Sequence, residues 1–208
     1  MASSLPPSTA AKPSAVQDRV RRAAVELFAN QGYAKTSVQQ IVEAAGVTKG
    51  AMYHYFRSKD DLLFGIYDHL LTLQRERLAA IVANDSPTAE RLRAACLDVI
   101  GTSIEFLDEG TVFFGSAHML SPERQLEVKH RRRLYNDAFA ALIEQGQREG
   151  IFRSDIPRAV LVANFFSDLH YLPQWYSPEG PEAGSLIAEQ LTDLFLAGVT
   201  TTDETSGH

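Results

Sequence analysis

Between Gly46 and Leu62 the chain reads GVTKGAMYHYFRSKDDL. Hydroxyls (Thr48, Ser58), cations (Lys49, Arg57, Lys59), His54 and two tyrosines (Tyr53, Tyr55) crowd into a few turns, and no acid occurs before Asp60. Groups of this kind donate hydrogen bonds to phosphate oxygens and base edges. The surrounding chain is different, because the whole protein carries a formal charge of -6. Residues 1–60 hold eight Lys/Arg against four acids, and the remainder holds twelve against twenty-two. A basic head on an acidic body points to a polyanionic partner for the head alone.

The elements that position these residues read as helices throughout, with no convincing strand. In VQDRVRRAAVELFANQGY the apolar residues Val16, Val20, Ala23, Ala24, Leu27 and Phe28 fall at helical spacing, and Gly32 ends the run. VQQIVEAAGV predicts a second short helix, capped by Thr36 or Ser37 with Gln39 or Gln40 three residues on. Gly46 permits a tight break, and Thr48 caps a third helix ending near Tyr55. Ser58 then opens a long fourth helix over Lys59–Asn84, with Asp61 in the capping-box position. Five further helices are expected in SPTAERLRAACLDVIGTSIEFL, TVFFGSAHML, PERQLEVKHRRRLYNDAFAALIEQGQREG, DIPRAVLVANFFSDLHYLPQWY and AGSLIAEQLTDLFLAGV. The fold class is all-α, with about nine helices. Residues 15–62 form a three-helix head with a helix-turn-helix, and residues 63–200 a helical body. Residues 1–14 read as a disordered lead-in and 201–208 as a disordered tail, on their Ser, Pro and polar content.

A helix, a short turn containing glycine and a second helix form the helix-turn-helix pattern. The second helix must enter the major groove, so small residues (Gly50, Ala51) are needed beside reaching ones (Thr48, Lys49, Tyr53, His54). Val47, Met52, Tyr55 and Phe56 then face Leu27, Phe28 and Ile41. Residues 18–64, and above all AVELFANQGYAKTSVQQIVEAAGVTKGAMYHYFRSKDDLL, resemble the DNA-binding domain of the TetR family of bacterial repressors. Val42 departs from the alanine common in that family, as a packing difference. The resemblance implies a homodimer that binds a palindromic double-stranded DNA operator and releases it when a small molecule enters the body. It maps DNA contacts onto Lys35, Thr36, Ser37, Thr48, Lys49, Gly50, Tyr53, His54 and Lys59. Thr36, Thr48 and Ser58 have a second reading as caps alone, and Tyr53 and His54 a second reading as ordinary structural or solvated residues.

Seven of the eleven phenylalanines lie between residues 104 and 176, which makes the body the place for an apolar pocket. Most of these rings must fill core. The candidate ligand set is Phe106, Phe113, Phe114, Tyr135, Phe139, Phe166 and Trp175, with His118 and His170 as polar groups. Asn136, Asn164 and Asp168 are further polar positions within the same apolar set. In KHRRRLYN one or two of Arg131, Arg132 and Arg133 are candidates to flank the pocket mouth and bind an anion, against the plainer reading of a solvated face. The C-terminal run YLPQWYSPEGPEAGSLIAEQLTDLFLAGV resembles the subgroup of TetR regulators of fatty-acid and sterol-ring degradation. That resemblance implies an acyl-CoA effector; a neutral drug-like lipophile is the rival. Apolar stripes of Leu161, Phe165, Leu169 and Leu172, and of Ile187, Leu191, Leu194 and Gly198, predict a four-helix dimer interface.

Other classes fit poorly. No apolar run reaches the ~18–20 residues needed to span a bilayer, and the N-terminus lacks the layout of a signal peptide. Cys96 is the only cysteine, so an intramolecular disulfide and a cysteine-clustered zinc site are excluded. These features predict a cytoplasmic protein without cofactor or metal. An enzyme with His54 or His118 as base is opposed by the absence of a nucleophile motif, metal-spaced cluster or phosphate loop. A protein-interaction module without DNA is opposed by the basic head.

Overall fold

A computed structural model describes residues 14–201, which leaves the lead-in before Ser14 and the tail after Thr201 outside the described residues. The first four helices are α1 (Ala15–Gln31), α2 (Val38–Ala44), α3 (Lys49–Tyr55) and α4 (Lys59–Val82). The body adds α5 (Thr88–Glu105), α6 (Leu107–Ser116), a 3-10 turn (Ala117–Met119), α7 (Pro122–Arg148), α8 (Arg158–Trp175) and α9 (Gly184–Val199). Among the described residues the only β-type pairing is an isolated bridge between Phe152 and Thr200.

Local chemistry explains most boundaries. Ser37 forms a capping box on α2: its hydroxyl accepts from Gln40 N (3.2 Å) and the Gln40 side chain accepts from Ser37 N (2.8 Å). Thr48 and Ser58 accept from Ala51 N and Asp61 N to start α3 and α4. The sequence-based boundary between the fifth and sixth helices is displaced. α5 stops at Glu105, and Phe106 (φ -113°, ψ 44°) turns the chain directly into α6. No Gly or Pro marks that break. The kink instead moves the buried face from Val99 and Ile100 to Val112 and Phe113.

Two cores result. Val20, Ala24, Phe28, Ile41, Met52 and Phe56 pack with Leu62, Leu63, Ile66 and Tyr67 of α4, and this core continues into Val112, Phe113 and Leu120. The head is therefore closed by α6 as well as by its own helices. The second core joins Leu78 of α4 to Cys96, Ile100, Tyr135, Phe139, Phe165 and Phe195. α4 contributes side chains deep in both, and α7 joins it, with Val128 in the first and Tyr135 and Phe139 in the second. The Tyr67 hydroxyl of α4, wholly buried, donates to the carbonyl of Val112 at 3.0 Å.

The end of α7 folds back on itself. Gly150 takes φ 76°, and the amides of Ile151 and Phe152 both donate to Gly146 O. This lays the buried Phe152 ring on Gly146, where a built Cβ would meet ring carbon at 2.0 Å. Alanine at a helix interior is ordinarily worth ~0.5–1 kcal/mol over glycine. Overpacking of this kind costs about 1–3 kcal/mol or more, and here it outweighs that gain. Gly146→Ala is expected to lower stability in urea denaturation; a rise in stability would show that Phe152 is free to move away.

Candidate nucleic-acid interface and internal cavity

α3 has two sides. Met52 and Phe56 are buried in the first core, with Val47 and Tyr55 half-buried beside them. Thr48, Lys49, Gly50, Tyr53 and His54 are exposed on the other side, as are Lys35 and Ser37 before α2. Tyr53 is 47% exposed. A Cβ at Gly50 would meet nothing closer than Thr48 Oγ1 at 3.9 Å. Nothing among the described residues requires glycine there, while an approaching macromolecule would gain backbone access. No acid lies on α3, and its side chains present donors that suit phosphates and base edges.

Two expected contact residues are placed differently. Thr36 is 2% exposed: its hydroxyl donates to Gly32 O (2.9 Å) and accepts from Gln31 Nε2 (3.1 Å). It neither caps α2 nor faces outward, because the turn after α1 needs its carbonyl satisfied. Lys59 Nζ donates to Tyr33 O (2.7 Å) and Thr36 O (2.9 Å) and lies 4.1 Å above the Tyr33 ring. Partial burial lowers its pKa. Its charge holds the α1–α2 turn against α4 instead of standing free.

In the body a largely apolar cavity with about 740 Å³ of empty space, part of it open to solvent, lies among α4 to α8. Of the candidate ligand set, Phe106, Phe113, Phe114, Tyr135 and Phe166 line it. The sequence reading missed Leu70, Leu71 and Gln74 of α4, and Val99 and Ser103 of α5. Gln74 adjoins the charged run Arg75-Glu76-Arg77, so nothing in its local sequence marked it. Phe139 lies outside the cavity: it is fully buried and stacks on Phe165 at 4.7 Å, as core. Trp175 is exposed and away from the cavity walls. His170 is also exposed, its ring 4.1 Å from that of Phe114, and His118 lines an adjoining outer groove.

The three consecutive arginines have three environments. Arg131 pairs with Asp68 and Glu127. Arg133 points into solvent, 3.8 Å from Asp137. Arg132 lines both the cavity and the outer groove, and its guanidinium lies 5.0 Å from the Phe113 ring centre and 5.8 Å from that of Phe114. Partial withdrawal from water lowers its pKa, and among the described residues it makes no ion pair.

The expected dimer stripe on α8 also needs correction. Leu161, Phe165, Leu169 and Leu172 are buried within the chain, where Phe165 packs on Phe139 and Phe195. Three rings of the same chain already fill that side. The outward apolar residues of α8 are Val160, Tyr171 and Trp175. On α9, Ile187 and Leu191 are half-buried and Gly198 is exposed, while Leu194 is 71% exposed.

The family model for "Bacterial regulatory proteins, tetR family" matches residues 20–66, and that for "Tetracyclin repressor-like, C-terminal domain" matches residues 85–199. The chain belongs to the TetR family. It is similar to the HTH-type transcriptional repressor KstR2 of Rhodococcus jostii (strain RHA1), 30% identical over 85% of this chain and 87% of that protein. The ketosteroid transcriptional regulator KstR2 of Mycobacterium tuberculosis has the same fold, with a TM-score of 0.81 at 24% identity over 89% of this chain and 95% of that one. AibR, solved in complex with isovaleryl coenzyme A and operator DNA, shares it too, with a TM-score of 0.75 at 24% identity over 86% and 97%. The TetR protein described here is accordingly a transcriptional repressor. Among the described residues, no helix is long and apolar enough to cross a membrane.

The two lysines of the head should separate by experiment. Lys59→Met deprives two carbonyls of a charged donor and is expected to cost about 1.5 kcal/mol in thermal unfolding. Lys49→Met should leave stability within about 0.5 kcal/mol and lower the salt slope of DNA binding by about one. Equal stability of the two variants would show that the Lys59 clamp is idle.

Proposed function

We propose that two copies of the chain bind a palindromic operator, each laying α3 in the major groove, and release it when an acyl-CoA enters the body. The observation that supports DNA reading is the sidedness of α3, with Met52 and Phe56 inside and Thr48, Lys49, Gly50, Tyr53 and His54 outside. Lys35 and Ser37 extend that face at the start of α2. A two-fold dimer would set its recognition helices about one DNA turn, ~34 Å, apart, so a small pivot of α4 spoils the fit. A coupling of about 1–3 kcal/mol then gives roughly 5–150-fold relief.

Pairing would use the outward faces of α8 and α9, where Tyr171, Trp175 and Leu194 leave apolar surface in water. Leu194→Glu is expected to yield monomers in sedimentation and to weaken operator binding. A dimer of unchanged mass would place the contact elsewhere.

The effector class rests on Arg132, which makes no ion pair among the described residues and lies between an apolar cavity and an outer groove that also carries His118, Lys129 and Arg133. An apolar acyl group would fill the cavity, and the polyanionic end would leave through the groove. The AibR complex lends support, since its named ligand is an acyl-CoA. Calorimetry against long-chain acyl-CoA, free fatty acid and CoA should rank the thioester first. Arg132→Ala should lose more than tenfold in affinity, the order expected for a charge-assisted contact, and Arg133→Ala much less. Equal binding of an uncharged lipophile, with no loss in Arg132→Ala, would favour a neutral effector and remove the acyl-CoA.

A further inference from the structure

Helices α4 and α7 are joined by a ladder of charges that neither the cavity nor the DNA face requires. Arg124, in the first turn of α7, pairs with both Asp60 and Asp61 in the first turn of α4, at 3.0 Å for Asp60 Oδ2. Its guanidinium lies 5.0 Å from the Phe64 ring centre. Seven residues further along each helix, Arg131 pairs with Asp68, and it too lies over Phe64, at 5.8 Å. Equal steps on both helices mean that α4 and α7 run side by side in register.

The carboxylates at the top of this ladder are also tied to the backbone. Asp60 Oδ1 accepts from Ser121 N (3.1 Å), at the very start of α7. Asp61 Oδ2 accepts from Arg57 N (2.9 Å), in the three-residue turn between α3 and α4. On the other side Lys59 holds the α1–α2 turn. The first turn of α4 is thus bound to the head by Lys59 and Asp61 and to the body by Asp60, Asp61 and Arg124.

We infer that Arg124 is a positioning residue for DNA binding: by bridging Asp60 and Asp61 it sets the angle at which the head, and so α3, leaves the body. An isolated surface ion pair is worth little. This one differs in three respects. A single planar guanidinium spans two carboxylates, the three side chains are only 24–31% exposed, and both carboxylates are fixed by backbone amides. The same helix carries Arg132 one residue beyond Arg131, so movement at the cavity wall reaches α4 through this ladder. Arg124 sits on the body, and its place against Asp60 and Asp61 leaves it no role as a phosphate contact.

The inference rests on the DNA-binding reading, so its test has one readout that does not involve DNA. Full-length Arg124→Ala, Arg124→Lys and Asp60→Asn/Asp61→Asn would be compared with the unaltered chain. The apolar contacts of α6 with the head remain in all of them, so the head is expected to stay folded. Amide hydrogen exchange in residues 38–55 should rise about tenfold in Arg124→Ala, with α5 and α9 within about twofold of their original rates. Affinity for the duplex recovered from a random pool should fall by about tenfold with an unchanged salt slope, because no phosphate contact is lost. Arg124→Lys, whose ammonium lacks the planar fork, should fall between. Unchanged exchange and affinity would overturn the inference, and so would a salt slope lowered by one, which would make Arg124 a direct DNA contact. If no duplex is recovered, the DNA-binding reading has failed, and the exchange rates alone decide the joint.

Discussion

The structure depends on one helix having to satisfy two cores. α4 is 24 residues long, about 36 Å at the rise of an α-helix, and its buried residues divide along its length. Leu62 to Tyr67 complete the core of the head, and Leu78 enters that of the body. Neither group could be exposed without loss of several kcal/mol of apolar burial, so head and body cannot separate while α4 stays intact. The buried hydroxyl of Tyr67, bonded to α6, locks the midpoint. A shared element of this kind couples the head to the body, which is what the proposed release of DNA by an effector would need.

The arginines of α7 show how one sequence pattern divides among roles. Consecutive residues on a helix are about 100° apart, so Arg131, Arg132 and Arg133 cannot share an environment. Arg131 faces α4 and finds Asp68, Arg133 faces water, and Arg132 falls between, on the edge of the cavity. The Arg132 side chain stays exposed, rests near the Phe113 and Phe114 rings and makes no ion pair among the described residues. The proposed anionic ligand would find it open.

The head was legible from the sequence because its logic is local. Caps at Ser37, Thr48 and Ser58 act over three residues, and the four-residue step from Met52 to Phe56 sets which side of α3 is outside. Exposure of Thr48, Lys49, Gly50, Tyr53 and His54 follows from that step alone. The number of helices was legible for the same reason, as apolar periodicity and Gly32, Gly46 and Gly150 punctuate the chain. Tertiary structure decided what spacing cannot express. Thr36 and Lys59 carry groups suited to phosphate, yet carbonyls of the α1–α2 turn claim both: Gly32 O takes the Thr36 hydroxyl within the turn itself, and Tyr33 O and Thr36 O come within reach of Lys59 only when α4 packs beside α1. Phe139 and Phe166 are equally apolar on paper, and only the meeting of α7, α8 and α9 puts one in the core and the other on the cavity wall. The stripe on α8 has a helical period in either setting. Whether it faces its own chain or a partner is set by the three-dimensional neighbours that bury it first, because hydrophobic burial is proportional to area and indifferent to which chain provides the cover.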